Sequence, residues 1–383
     1  MEKISVMSAE VEIVTRRADS SQPAADPGRL KFRDSDGFLQ ELRRRVDRYF
    51  SSTGRRPRDC PKMYVKTLIV LIWFAASYGL LVFGAGAWWT ALPLAVSLGL
   101  SLAAVGFNIQ HDGGHHSYSR RPWVNKLMAM TADLIGASSY LWHWKHSVFH
   151  HTYVNVTGHD TDIDVGRFAR LSPHAPRLRW HRWQQFYLWP LYGLMAARWH
   201  LFGDFQDVFA GKIGPHRIPR PRGWDLAWFL GGKLLSLTIA FVIPMCWHSV
   251  WDVALFYLIA TGVMGIVLAV VFQLAHCVEE AQYPLPAANT LRMEHAWDVH
   301  QVQTTVDFAR KSWVLCWLLG GLNFQIEHHL FPRICHVHYP AIAKIVEETC
   351  REFGIRYLSH KTFLAGVVSH FRWLRRLGMV TTL

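Results

Sequence analysis

From Thr67 to Gln110 the chain runs for 44 residues without one Asp, Glu, Lys or Arg. A helix needs about 20 apolar residues to cross a bilayer. The run is therefore long enough to cross twice, and "GAGAWWTALP" (84–93) offers small residues for a turn between. A second block, Leu234–Val278, is interrupted only by Asp252. Two blocks of double length are hard to hide from water in a soluble protein. Inside lipid each backbone N–H and C=O must be satisfied within its own element, which a helix achieves. The expectation is an all-α integral membrane protein with four transmembrane helices in two hairpins, at about 67–87, 90–110, 230–249 and 253–276.

Charge gives this arrangement an orientation. Residues 1–66 hold 15 Lys/Arg against 10 Asp/Glu, the basic surplus continues between and after the blocks, and neither hairpin tip carries a Lys or Arg. Basic residues stay on the cytoplasmic side, so both termini and the long polar segments are expected there. The net charge of +13 then reflects topology and attraction to an anionic leaflet. No nucleic-acid-binding motif accompanies it. The six cysteines form no paired framework and suit reduced thiols facing a cytosol. The first twenty residues lack the apolar core of a signal peptide, and residues 18–37 are rich in Ser, Pro, Ala and Asp, as a mobile tail would be. In "FLQELRRRVDRYF" (38–50), Phe38, Leu42, Val46, Tyr49 and Phe50 share one helical stripe, fit to lie on a membrane surface or to dock on the domain. The chain thus divides into a cytoplasmic, partly disordered segment 1–60, a membrane domain 61–360 and a basic C-terminal tail 361–383.

The 22 histidines gather in the polar segments that flank the apolar blocks. With "QHDGGHHSYS" (110–119) read as a helical continuation of the second span, His111 and His115 are four apart and share a face. His146 and His150 repeat that spacing, and His151 points about 100° away around the helix. "NFQIEHHLFP" (323–332) supplies His328 and His329, and His276 ends the fourth span. A single histidine is usually a packed or capping residue, but three clusters on one side of one membrane point to metal. Eight imidazoles exceed one tetrahedral zinc and suit two ions of higher coordination number. Ligand type alone leaves Fe, Zn, Cu and Ni open. Thiolates are missing from the clusters, against an iron–sulfur site, and position 112 is Asp, so the HExxH zinc-protease pattern is not met.

These residues resemble the membrane-bound di-iron fatty acid desaturases, whose three histidine boxes read here "HDGGHH" (111–116), "HSVFHH" (146–151) and "QIEHH" (325–329). Gln at the head of the third box is similar to the front-end group, which desaturates between an existing double bond and the carboxyl end. "HHTYVNVTGHDTDID" (150–164), "HQVQTTVDFAR" (300–310) and "GGLNFQIEHHLFPRICHVHYP" (320–340) match bacterial members, and the likeness spans roughly 60–360. The resemblance implies a cytoplasmic helical cap carrying the boxes. It also implies two iron ions held by His111, His115, His146, His150, His151, His276, His328 and His329. His116 and Gln325 stand at positions that ligate or support in relatives, and Asp160, Asp162 and Asp164 are placed to orient ligand imidazoles. His143, His159, His295, His300, His336 and His338 are read as structural or supporting residues.

An unactivated methylene offers no acid and no leaving group, so the hard chemistry must come from the cofactor. The resemblance implies O2 as co-substrate, a cis double bond as product, and a fatty acyl lipid or acyl thioester in a narrow tunnel among the spans. It places the protein in a bacterial inner membrane. No HPGG haem motif is present, so electrons are expected from a separate ferredoxin or cytochrome b5 type donor. "RYFSSTGRRPR" (48–58) and "RLRWHRW" (177–183) could attract such a donor or lipid headgroups; snorkelling side chains explain them equally. Hydroxylation or another oxidation on the same scaffold is the nearest alternative. A membrane zinc hydrolase and a non-enzymatic metal-binding protein are more remote ones.

Overall fold

A computed structural model describes residues 29–288 and 290–380. Most of the tail expected at 18–37 lies outside the described residues. The part inside departs from that expectation. Lys31–Arg33 forms β1, parallel to β2 (Arg292–Ala296), because Phe32 packs with Leu30 against Tyr153 and Met293. The chain is then tied down by the Asp298 carboxylate, which accepts from Ser35 Oγ (2.7 Å) and Leu39 N–H (3.0 Å).

Four helices are long and apolar enough to cross a membrane: Pro61–Gly84, Trp88–Gly114, Trp224–Met245 and Val250–His276. With the N-terminal helix α1 (Phe38–Thr53) these are α2, α3, α5 and α6, and α4 (Gln184–Arg198) lies between the pairs. The first and third begin about six residues earlier than hydropathy alone sets them. Pro61 and Trp224 open those helices, and proline's fixed φ and missing N–H suit a first turn. Trp88–Gly114 carries on through His111, with a π-helical turn over Gly106–Gln110 just before it, so the first histidine pair rides on the end of a span.

The four differ in burial. In α2 and α5, 28% and 22% of the apolar window is buried, against 56% and 39% in α3 and α6. The inner pair is packed by protein, while Leu68, Ile72, Leu80, Leu234 and Leu235 of the outer pair stay exposed. Exposed apolar faces of this extent belong against lipid. Helix α4 packs along α6 through Leu188, Tyr192 and Ala196 against Met264, Val271 and Leu274, and α9 (Phe363–Met379) adds Trp373, Leu374 and Leu377 to the same core. Helix α1 seats Phe38, Leu42, Val46 and Phe50 against Ile342, Ala343 and Val346 of α8 (Tyr339–Glu352). Of the two roles open to that stripe, it takes docking. Helix α7 (Gln325–Leu330) lies on the same core through Ile326 and Leu330.

Candidate metal centre

Four separate stretches deliver the histidines. The end of α3 brings His111 and His115, the segment 143–151 brings His146, His150 and His151, α6 ends on His276, and α7 carries His328 and His329. Local backbone decides their aim. Residues 143–150 wind as a π-helix rather than an α-helix, a widening that is often found at functional sites. The helical wheel expected His151 to point away from His146. Instead both His150 and His151 come beside it, with ring centroids 5.3 and 4.9 Å from its own. The glycine pair of the first box has a packing role. A Cβ on Gly114 would lie 2.1 Å from the Trp142 indole, and that indole meets His111 and His115 edge to face at 5.7 and 5.2 Å and lies tilted beside His146 at 4.7 Å.

The eight imidazoles converge in two foci. Ligand atoms of His111, His115, His146 and His328 lie within 4.8 Å of one another, and so do those of His150, His276 and His329. His151 joins His328 and His329 in a third such group, between the other two. His111 Nε2 lies 3.2 Å from His146 Nε2, and His329 Nε2 lies 3.3 Å from His276 Nε2.

The outward-facing nitrogens explain why these contacts call for a cation. His150 Nδ1 donates to Asp160 (3.2 Å), His329 Nδ1 to Gln301 Oε1 (2.9 Å) and His276 Nδ1 to the Thr304 carbonyl (3.4 Å). Their Nε2 atoms are then bare lone pairs pointing at one another. The Nε2 atoms of His115, His150, His151 and His328 are buried without a hydrogen-bond partner, although buried polar groups normally have one. Burial, reinforced by neighbouring imidazoles, holds His115, His146, His151, His328 and His329 well below the usual histidine range. They are neutral, the form in which imidazole gives its lone pair to a metal. Burial pulls the same way on His150, but Asp160, by charge and hydrogen bond with Asp162 behind it, lifts it above its ordinary value. That carboxylate calls for a positive charge at His150, a proton or a metal ion. The donor set fits a metal pair.

The remaining candidates sit differently. Asp160 is buried and also accepts from the backbone N–H of Asn155 (2.9 Å) and Asp162 (3.0 Å). Asp162 is 3.7 Å from His150 and 3.0 Å from Lys145 Nζ. Asp164 is exposed and closes its own turn onto Gly166 N–H. His116 is exposed, with φ +58°, and belongs to none of the histidine groups. Gln325 is buried one turn before His328. His300 and His336 have taken partners elsewhere, at the Val154 carbonyl and at Asp112. His338 bonds Cys60 Sγ and the Arg56 carbonyl.

A family model for fatty acid desaturases matches residues 87–361. The chain is 39% identical to the sn-1 linoleoyl-lipid 6-desaturase of Arthrospira platensis, with 92% of this chain and 95% of that protein aligned. It is 37% identical to the protein of the same name from a Synechocystis species over 91% of this chain and 98% of the relative. The chain belongs to the fatty acid desaturase family. An acyl-lipid (8-3)-desaturase from Physcomitrium patens is 37% identical over 90% of this chain and 72% of its own length. The protein is accordingly a membrane-bound fatty acid desaturase, an enzyme of lipid metabolism.

Sequence reasoning missed several residues around this histidine cluster. Trp142 and Phe272, whose ring lies 4.8 Å from His150 and 4.9 Å from His276, wall it. Gln301 and Tyr339, whose hydroxyl is 3.4 Å from His328 Nδ1, hold two imidazoles from outside. Asn155 spreads one amide over the carbonyls of His276, Gln282 and Thr304 at 2.9, 3.1 and 3.3 Å, fixing the end of α6. Gln301 and Tyr339 stand within "HQVQTTVDFAR" and "GGLNFQIEHHLFPRICHVHYP", but nothing local marked either as a partner of an imidazole.

Proposed function

We propose that the protein inserts a cis double bond into the acyl chain of a membrane lipid, on the carboxyl side of a double bond already present. In this reading two iron ions are held by His111, His115, His146 and His328 and by His150, His276 and His329, with His151 between them. The observation that carries it is the convergence of buried Nε2 atoms: those of His115, His150, His151 and His328 have no hydrogen-bond partner, those of His276 and His329 face each other, and Asp160, Gln301 and Thr304 pin the opposite nitrogens of His150, His329 and His276. Iron bound and reduced there would supply, with O2, the oxidising power needed to take two vicinal hydrogens from an unactivated chain, the O2 leaving as water with the electrons of the donor.

The chain's own residues bind, orient and exclude. Asp160, with Asp162 behind it, fixes the His150 tautomer and raises its donor strength, while Gln301, Thr304 and Tyr339 do the same for their partners. Trp142 and Phe272 keep water from the ring faces. Asp164, His116 and Gln325 take no ligand role in this scheme. The acyl tail runs along α3 into a cavity of about 330 Å³ lined by Leu98, Leu102, Ile135, Ile239 and Tyr257. Leu102 lies nine residues before His111, about 14 Å along the helix, so the cavity suits the distal part of the tail. Apolar burial there is worth about 0.8 kcal/mol per CH2.

The relatives named for lipid-linked linoleoyl chains favour a glycerolipid carrier over a thioester. The four spans form two hairpins, with termini, histidines and helical cap on the cytoplasmic side of a bacterial inner membrane. Electrons come from a separate donor on that face. The test is expression in a host without polyunsaturated lipids, followed by mass spectrometry with double-bond localisation. A new front-end diene or triene is expected, and it must vanish in His328→Ala; an alcohol in its place, or a peak that survives the substitution, would contradict the reading.

A further inference from the structure

One buried polar group near the centre is used by nothing above. Asp112, the chain neighbour of His111, is 2% exposed and supports no ligand imidazole. Its Oδ2 instead accepts from His336 Nδ1 at 3.0 Å and from His336 N–H at 3.4 Å. On the far side, Lys66 Nζ sits 2.9 Å from His336 Nε2 and is itself 5% exposed. The seat is built for this ring. Gly321 adopts φ +69°, and a Cβ there would come within 2.9 Å of His336 Cβ, while Cys335 N–H donates to the Pro57 carbonyl at 2.9 Å.

A third metal site is the first reading to examine, since Asp112, Cys335 and His336 offer ligand atoms within 4.8 Å of one another. The geometry rejects it. Both ring nitrogens of His336 are engaged, and the Lys66 ammonium stands where it would repel a cation. What remains is a buried row of carboxylate, neutral ring and ammonium that begins beside a ligand.

Charge gives that row a purpose. Neutral imidazoles leave a divalent pair uncompensated, and buried charges need a counter-charge. The His150 focus has Asp160 against its imidazole. Among the described residues no carboxylate hydrogen-bonds a ring of the His111 focus, although Asp162 comes within 4.8 Å of a His146 nitrogen. Of the two buried acids that adjoin its ligands in the chain, Glu327 is turned to the Tyr357 hydroxyl at 3.0 Å, and Asp112 is the other. Resting on the ligand assignment above, we propose that Asp112 is the counter-charge of the His111 focus and that Lys66, held through His336, opposes it and sets how much of it the metal feels. Asp112 and Lys66 are positioning residues; neither touches the reacting atoms.

The test is a sign. Purified full-length Asp112→Asn and Lys66→Met are loaded with Fe(II), and separately with redox-silent Co(II), then titrated with a chelator. Asp112→Asn should release metal at least about tenfold more readily, in the range found for residues behind a ligand. Lys66→Met should hold metal more tightly than the natural chain. The iron midpoint potential should rise in the first variant and fall in the second, because a nearby negative charge favours the more positive oxidised metal. A row that merely clamps helices together would weaken retention in both variants, and that result overturns the proposal. If Asp112→Asn does not accumulate as folded protein, Lys66→Met decides alone: tighter retention supports the proposal, looser retention overturns it. The metal count of the natural chain reports on the ligand assignment separately. A chain that holds zinc would sink that assignment, while opposite shifts in zinc retention would still uphold the counter-charge.

Discussion

Histidines of two sorts in the helical bundle are buried alike and live differently. Toward the Ala85–Ala87 end of the spans, His200 places Nδ1 3.0 Å from the Tyr257 hydroxyl and Nε2 3.1 Å from Ser236 Oγ. His370, beside the His276–Cys277 end of α6, is served as well, by the Cys277 carbonyl at 2.6 Å and the Tyr192 hydroxyl at 2.9 Å. At that same end, His115, His150 and His328 have Nε2 atoms with no partner, aimed at neighbours of their own kind. Burial and residue type do not separate a structural imidazole from a ligand; the fate of its second nitrogen does.

The sharpest way to break the comparison is to truncate one residue of each sort. His150→Ala and His328→Ala should abolish product and lower bound metal in the purified protein. His370→Ala should cost about 1–3 kcal/mol of stability, read as a lower Tm, while metal and product persist. Equal loss of metal in all three would erase the distinction. A milder probe is Asp160→Asn, which keeps the shape beside His150 and removes the charge. Metal retention against a chelator should fall about 10–100-fold, with little change in Tm.

Gly114→Ala tests packing rather than ligation. The added methyl must displace the Trp142 ring, so about 1–3 kcal/mol of stability should go, together with the ring contacts that steady His111 and His146. Thermal denaturation with and without metal would show whether the loss is larger in the loaded state, as expected. The smallest effect belongs to Tyr339→Phe. Removing one hydroxyl from His328 Nδ1 should weaken metal retention by about 0.5–1.5 kcal/mol, and no change at all would remove Tyr339 from the group of supporting residues.

What could be read in advance, and what could not, follows from the range of the interactions. The four apolar helices and the continuation of α3 through His111 are local facts of hydropathy and spacing, and they were legible. Seven of the eight clustered imidazoles were also legible, because each box announces itself within six residues; His276, alone at the end of α6, was marked only by the resemblance. Hidden were the features fixed by distant neighbours. The π-turn that swings His151 toward His146 depends on how segment 143–151 meets α3 and α7, and no helical wheel contains it. Gln301, Asn155 and Tyr339 are ordinary polar residues until the fold sets them behind His329, the end of α6 and His328. Strand β1, within a stretch whose composition reads as disordered, exists because Phe32 finds Tyr153 and Met293. Helix α4 lies in a segment whose flanking arginines mask an apolar face that only α6 reveals.

The central claim is that the three boxes and His276, from four parts of the chain, bind one pair of iron ions. Metal analysis of the purified, active protein tests it most directly. Two irons per chain are predicted, both lost in His328→Ala and unaffected in His370→Ala. A single metal ion per active chain, or a full metal complement in His328→Ala, would contradict it.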